Sequence, residues 1–285
     1  MTNRMVTKNR EWITAAFFAV AAAVAASGAT VTLAPPSGTT TNVLALYAGD
    51  TAVAIAGPGT VSLNPANTYT GGTTLSGGTL AYSGTPHDGA SPLGSGTLNI
   101  TSADAVVSGS GTIANDIYAT SHADFIPEGT LVLFGNNVFT QRLDIAQDTL
   151  EITGGETSIT GGLYIAYPSA RTTKTAHFRQ SGGSIRLSQN VHLAAIRGTT
   201  SSFTMTGGSV DVGGNNVLMY GSSGTKTAVS YSTIDISGDA VMSNIAYLYV
   251  HTYNTTDTSL SANIHDGGRL GFKMRGIRVL LPSPL

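Results

Sequence analysis

Six histidines, at positions 87, 122, 177, 192, 251 and 265, and sixteen acidic residues are the side chains with which this chain could do chemistry. A metal centre needs ligands that recur at short offsets on one face of an element, as in HxH or HExxH. Neither pattern occurs, so the histidines read as loop or ladder residues. Glycoside hydrolysis needs two carboxylates held at a set separation. The acids here are scattered, with no Asp-Asp pair. Asp144 and Asp148 lie near Arg142, and Asp235 lies near Asp239; turn or solvated-face roles account for both groups. No GxSxG motif singles out a serine nucleophile. The segment GGSVDVGGNN, residues 207–216, has only part of the glycine stepping of calcium-binding nonapeptides. Tyr247, Tyr249 and Tyr253, with His251, could form an aromatic strip for sugar stacking. Alternation puts one of their two faces inward, which favours packing instead. The sequence therefore predicts no catalytic residue, no cofactor and no metal site.

The elements that would position such residues are short strands. Charged residues make up 11% of the 285, against ~25% in an average domain. There are 35 glycines and 41% hydrophobic residues, enough apolar surface to argue against disorder. A charge-poor chain rich in glycine, threonine and serine, with period-two alternation, points to an all-β solenoid or sandwich. The net charge of −2 leaves no basic surface for nucleic acid. Cysteine is absent, which excludes disulfides and thiolate metal sites. Past residue 30 no apolar run is long enough to span a bilayer, so the mature chain is expected to have no integral membrane segment.

The most structured stretch is NTYTGGTTLSGGTL, residues 67–80. Thr73, Thr74 and Leu75 form one predicted strand, and Thr79 to Tyr82 the next. Each follows a glycine pair, Gly71 with Gly72 and Gly77 with Gly78, that allows φ > 0 at a corner. With its flanks, GPGTVSLNPANTYTGGTTLSGGTL and SPLGSGTLNI, the stretch resembles the autotransporter-associated β-strand repeat, or passenger-associated transport repeat, of bacterial secreted proteins. The resemblance covers residues 57–100. It implies that Asn67, Tyr69, Gly71, Gly72, Gly77 and Gly78 are structural repeat positions. It also implies a secreted or surface-displayed protein of structural or adhesive type, whose partners are cell-surface or extracellular polysaccharides or other surface proteins.

A period appears beyond residue 150. LEITGGETSI, FRQSGGSIRL, FTMTGGSVDV and IDISGDAVM align on Gly154, Gly182, Gly207 and Gly238, which are 28, 25 and 31 residues apart. A degenerate fifth copy lies at Gly267 and Gly268. Each unit carries a strand before the glycine, one after it, and a third: Leu163 and Ile165, Val191 and Leu193, Val217 and Met219, Tyr247 and Tyr249. Three strands per unit of this length form one coil of a parallel β-helix. The connections YPSARTTKTA, AIRGTTSS and YGSSGTKTA are polar and variable in length. At Gly207 a φ > 0 corner would exclude valine, whereas Ser222, in a polar connection, should tolerate it.

The expected organisation is a signal peptide (1–29), N-terminal strands or a cap (30–56), the resembling repeat (57–100), irregular coils (101–149), repeated coils (150–272) and a basic, proline-containing tail (273–285). That tail, with Lys273, Arg275 and Arg278, is a poor membrane-barrel segment. Fold class is all-β, a parallel β-helix. The functional expectation is a non-enzymatic passenger-like solenoid, with a carbohydrate-binding or polysaccharide-degrading β-helix as the alternative.

Arg4, Lys8 and Arg10 precede an alanine-dominated apolar stretch, residues 13–26, and the small residues Ser27, Gly28 and Ala29. That order is the layout of a secretory signal, with a mature chain beginning near Thr30. Residues 1–30 fused to a reporter should carry it across the inner membrane of a Gram-negative host and be shortened there. A full-length reporter retained in the cytosol overturns this expectation.

Overall fold

A computed structural model describes residues 28–63, 66–166, 175–193, 199–220, 231–251, 259–273 and 277–280. The expected leader therefore lies almost wholly outside the described residues. Among those residues there is no helix, and each pairing between strands is parallel. Two sheets result. One has eleven strands, running from Thr30–Leu33 through Thr73–Leu75 and Glu156–Ile159 to Arg269–Phe272; the other has sixteen. The chain returns to the smaller sheet once per coil, which is the parallel β-helix expected from the repeats.

The larger sheet begins as one broad side. Thr79–Gly84 and Val106–Ile113 pair over six consecutive positions. The next strand, Ala123–Leu133, pairs with two later strands, Leu143–Ile145 by its first half and Asp148–Ile152 by its second. Its register with Val106–Ile113 shifts between Pro127 and Leu131. That bulge is where one broad side becomes two, because an unpaired residue bends the strand. From there on each coil has three sides with a strand on every one.

Coil length follows from the register. Leu98, Ile117, Asn137 and Thr157 are successive partners, giving coils of 19, 20 and 20 residues. These fall largely within residues 101–149, where irregular coils were expected. Thr157, Ile185, Val210, Met242 and Leu270 continue the column at intervals of 28, 25, 32 and 28. The last step places the degenerate copy at Gly267 and Gly268 in the stack. The difference lies at one corner. Ile145 is separated from Asp148 by two residues, whereas the equivalent connections later are residues 166–174, 194–199, 221–230 and 252–258.

Inward positions alternate along each strand and align between coils. Leu131, Leu150, Phe178, Phe203 and Ile234 form one such column, each at most 1% exposed. The Phe178 and Phe203 rings meet at 4.9 Å between centroids. Gln180 also points inward, and its amide donates to the carbonyl oxygens of Gly182, Gly183 and Ser209 at 3.1–3.2 Å. A buried amide there ties the turn of its own coil to the backbone of the next.

The corner glycines need a correction. In the glycine pairs the second residue carries positive φ, as at Gly72, Gly78, Gly155, Gly183 and Gly208, and not Gly71, Gly77, Gly154, Gly182 or Gly207. The aligned residue itself is positive at Gly238, which has no following glycine, with φ 61°, and at Gly267 of the degenerate pair, with φ 94°. Gly207 is constrained differently: a Cβ there would lie 2.6 Å from the Ser181 carbonyl oxygen of the preceding coil. Coils stacked at strand spacing leave no room for a side chain between corners. Ser222, the expected tolerant site, lies outside the described residues; Ser158, an exposed outward position on Glu156–Ile159, takes its place. Gly207→Val should lower stability by about 1–3 kcal/mol, while Ser158→Val should stay within about 0.5 kcal/mol of the parent. Urea midpoints measure both, and equal midpoints contradict the corner packing.

Candidate functional site

Strand alternation puts Asp144 on the outside, between the inward, fully buried Leu143 and Ile145. The same rule places Asp124 outward one coil earlier, and the two are register partners. Their column continues through Tyr164, His192, Leu218 and Tyr249. Like charges directly opposite each other on parallel strands repel. Two basic groups answer them. His122, two residues before Asp124, brings Nε2 to 2.9 Å from Asp124 Oδ1 and 3.1 Å from Asp144 Oδ2. Arg142, two residues before Asp144, brings Nη2 to 3.0 Å from Asp144 Oδ2 and 3.4 Å from His122 Nε2.

Although outward, this cluster is shielded from water: Asp124 is 7% exposed and Asp144 1%. Burial pushes the Asp144 carboxyl up to about 6, against the lowering pull of Arg142 and His122, and the Asp124 charge raises it further. Asp144 Oδ1 is buried without a hydrogen-bond partner. The Arg142 guanidinium also lies 5.5 Å over the Tyr164 ring, and Tyr164 stacks on His192 at 4.2 Å with the rings 4° from parallel. Burial pushes His192 down to about 4, so it stacks as the neutral imidazole at ordinary pH.

Two carboxylates on adjacent strands, one of them raised, have the acid–base chemistry of a glycosidase pair. A sugar ring must reach both, and side-chain exposures of 9% and 2% leave no face for it. The three ligand-type side chains His122, Asp124 and Asp144 present atoms that all lie within 4.8 Å of one another.

The other expected positions are dispersed. Asp148 accepts from the Gly129 N–H at 3.0 Å and takes φ 47°, a turn role away from the cluster. Asp235 pairs with His265 at 3.0 Å. Asp211, in the segment weighed for calcium, accepts from Asn244 Nδ2 at 2.8 Å and from the Gly213 N–H at 2.9 Å. The Asn244 bond chiefly, with the Gly213 bond, holds its carboxyl below the usual range. His177 Nδ1 meets Ser202 Oγ at 2.7 Å. Tyr247 and Tyr249 face outward around a buried Leu248, the reverse of the inward placement expected, and their rings are 5.1 Å apart. Tyr253 and the side chain of His251 lie outside the described residues.

The repeat residues form a clamp between coils. Asn67 is fully buried; its Oδ1 accepts from the Tyr47 N–H at 2.8 Å and its Nδ2 donates to the Pro92 carbonyl at 3.1 Å. It thus joins the coil before to the coil after on a side that has no strand ladder. Tyr69, also fully buried, bonds Thr73 Oγ1 through its hydroxyl and meets Tyr47 edge-on at 6.3 Å. Gly71 and Gly77 precede the positive-φ residues Gly72 and Gly78 at the flanking corners. The sequence reading missed His122, Asp124 and their pairing across the stack. The available signal was HxD at residues 122–124 followed by RxD at 142–144, one 20-residue coil later.

Residues 56–81 match the family model of the passenger-associated-transport repeat. They span a little more than one coil, from the end of Ala52–Ile55 through Thr60–Ser62 and Thr73–Leu75 into Thr79–Gly84. No curated protein and no solved structure matches the chain.

His192 provides a pH test of the outer column, where Tyr164 and Leu218 flank it in register and Arg142 lies over the far Tyr164 ring. Its folded value is depressed, so its contribution to stability is complete above about 6.5 and is lost as pH falls toward 4. His192→Gln cannot take up that proton. Between pH 7.5 and 5 its urea midpoint should fall less than the parent's; an equal or larger fall shows that His192 is protonated without penalty.

Proposed function

We propose that this chain is an exported, passenger-like β-solenoid that works by display, as an adhesive or spacing element, and performs no catalysis. One observation carries the reading: an uninterrupted parallel stack in which a passenger-associated-transport repeat spans a little more than one coil. Four connections open from the same corner of consecutive coils, because the strands that flank them are in register. Their sequences are rich in threonine and serine and carry Arg171, Lys174, Arg197 and Lys226. Loops presented by a rigid scaffold are where recognition concentrates. A row of polar connections suits extracellular polysaccharide or another surface protein.

A polysaccharide-degrading enzyme is the alternative, and Asp124 with Asp144 is the pair that favours it. Their burial weighs against it. The mature chain should bind bacterial or host surface glycans or proteins on an array, and replacing residues 221–230 by a short Gly-Ser connection should weaken that binding at least tenfold without changing the urea midpoint. It should release no reducing ends from a panel of polysaccharides. Sugar release, or binding indifferent to the connections, overturns the proposal.

A further inference from the structure

Beyond display, we infer that His122 Nε2, Asp124 Oδ1 and the Asp144 carboxylate form a binding site for a divalent transition cation of the Zn²⁺ class, bridging two successive coils. The hydrogen-bond count at His122 is the first observation. Nε2 faces Asp124 Oδ1, Asp144 Oδ2 and Arg142 Nη2 at 2.9, 3.1 and 3.4 Å. An imidazole nitrogen carries either one proton or one lone pair. A proton there serves two carboxylates at once and turns a donor toward another donor, Arg142; a lone pair faces two anions. A cation on that nitrogen satisfies both carboxylates together.

The second observation is independent of those contacts. Asp144 has a side-chain exposure of 2%, and its Oδ1 has no hydrogen-bond partner. An ionised carboxylate with an unsatisfied buried oxygen is costly, and a cation held by both oxygens of Asp144 would relieve it. Ligand geometry agrees. Zinc–nitrogen and zinc–oxygen bonds of about 2.0–2.2 Å place tetrahedral donors about 3.3 Å apart. The two separations measured from Nε2 need to open by only a few tenths of an ångström, and the aspartates have carboxylate oxygens within 4.8 Å of each other. One imidazole with two carboxylates suits zinc or manganese better than the all-oxygen sites that calcium and magnesium prefer.

Arg142 is the competitor. Its guanidinium supplies positive charge to Asp144 and lies beside Nε2, so it must swing aside toward Tyr164, over which it already extends. This gives the site a property that a purely structural ion-pair cluster lacks: removing a native salt-bridge partner should improve it.

Chelator-stripped full chain, titrated calorimetrically with Zn²⁺ alone, should bind one ion that His122→Gln and Asp124→Asn each weaken at least tenfold. Arg142→Gln should bind Zn²⁺ several-fold more tightly than the parent. His265→Ala, which removes the exposed histidine between Asp235 and Asp266, should leave that ion in place. Asp144→Asn is the most direct variant but alters a buried group; should it fail to fold, His122→Gln and Arg142→Gln decide, since those side chains are 23% and 33% exposed in the parent. Equal Zn²⁺ binding in parent, His122→Gln and Asp124→Asn overturns the inference. So does an Arg142→Gln variant that binds no more tightly than the parent.

Discussion

Everything in this molecule depends on the backbone ladder between one coil and the next. A coil of some twenty residues has too little interior to offset the entropy of ordering it. In the stack, its N–H and C=O groups pair above and below, and its inward side chains meet the same positions of its neighbours. The column from Leu131 to Ile234 shows the result: five coils, one chemical type, no measurable exposure beyond 1%. Side-chain identity matters less there than register, which is why leucine, phenylalanine and isoleucine replace one another along the column.

Where strands give way to turns, side chains reinforce the ladder. On the early side that carries no strands, Asn67 joins Tyr47 to Pro92, and Asn115 donates to the Gly94 and Gly96 carbonyls at 3.1 and 2.7 Å. At a later corner Gln180 does the same for Gly182, Gly183 and Ser209. Buried amides placed in this way hold the coils in one register, since slipping by a residue would strand each of them without partners. Asn67 lies within the residues that match the passenger-associated-transport repeat.

The fold was legible because glycine pairs and alternating apolar residues mark corners and strands directly. The 20-residue period of the coils at 101–149 was not, since their corners use Asn115 with Asp116 and Gly135 with Asn136 in place of glycine pairs. The first-glycine corners were half legible: the positions were right, but close approach at Gly207 and positive φ at Gly208 look identical in sequence. The His122–Asp124–Arg142–Asp144 cluster was legible only after the 20-residue period is known. Its members come from two coils, and linear spacing conventions for metal or catalytic sites assume one element. In a solenoid the relevant distance is measured across the stack.

That the later connections lengthen chiefly at one corner has a mechanical consequence. Strand spacing fixes the advance per coil at about 4.8 Å, whether the coil consumes 19 residues or 32. Chain length and rod length are therefore uncoupled: residues added at the corner thicken the molecule without extending it. The molecule behaves as a ruler graduated in coils. Ten steps between the eleven strands of the smaller sheet give it a length of about 48 Å. A lineage could vary everything at the corner and still hold whatever lies at the far end at the same height.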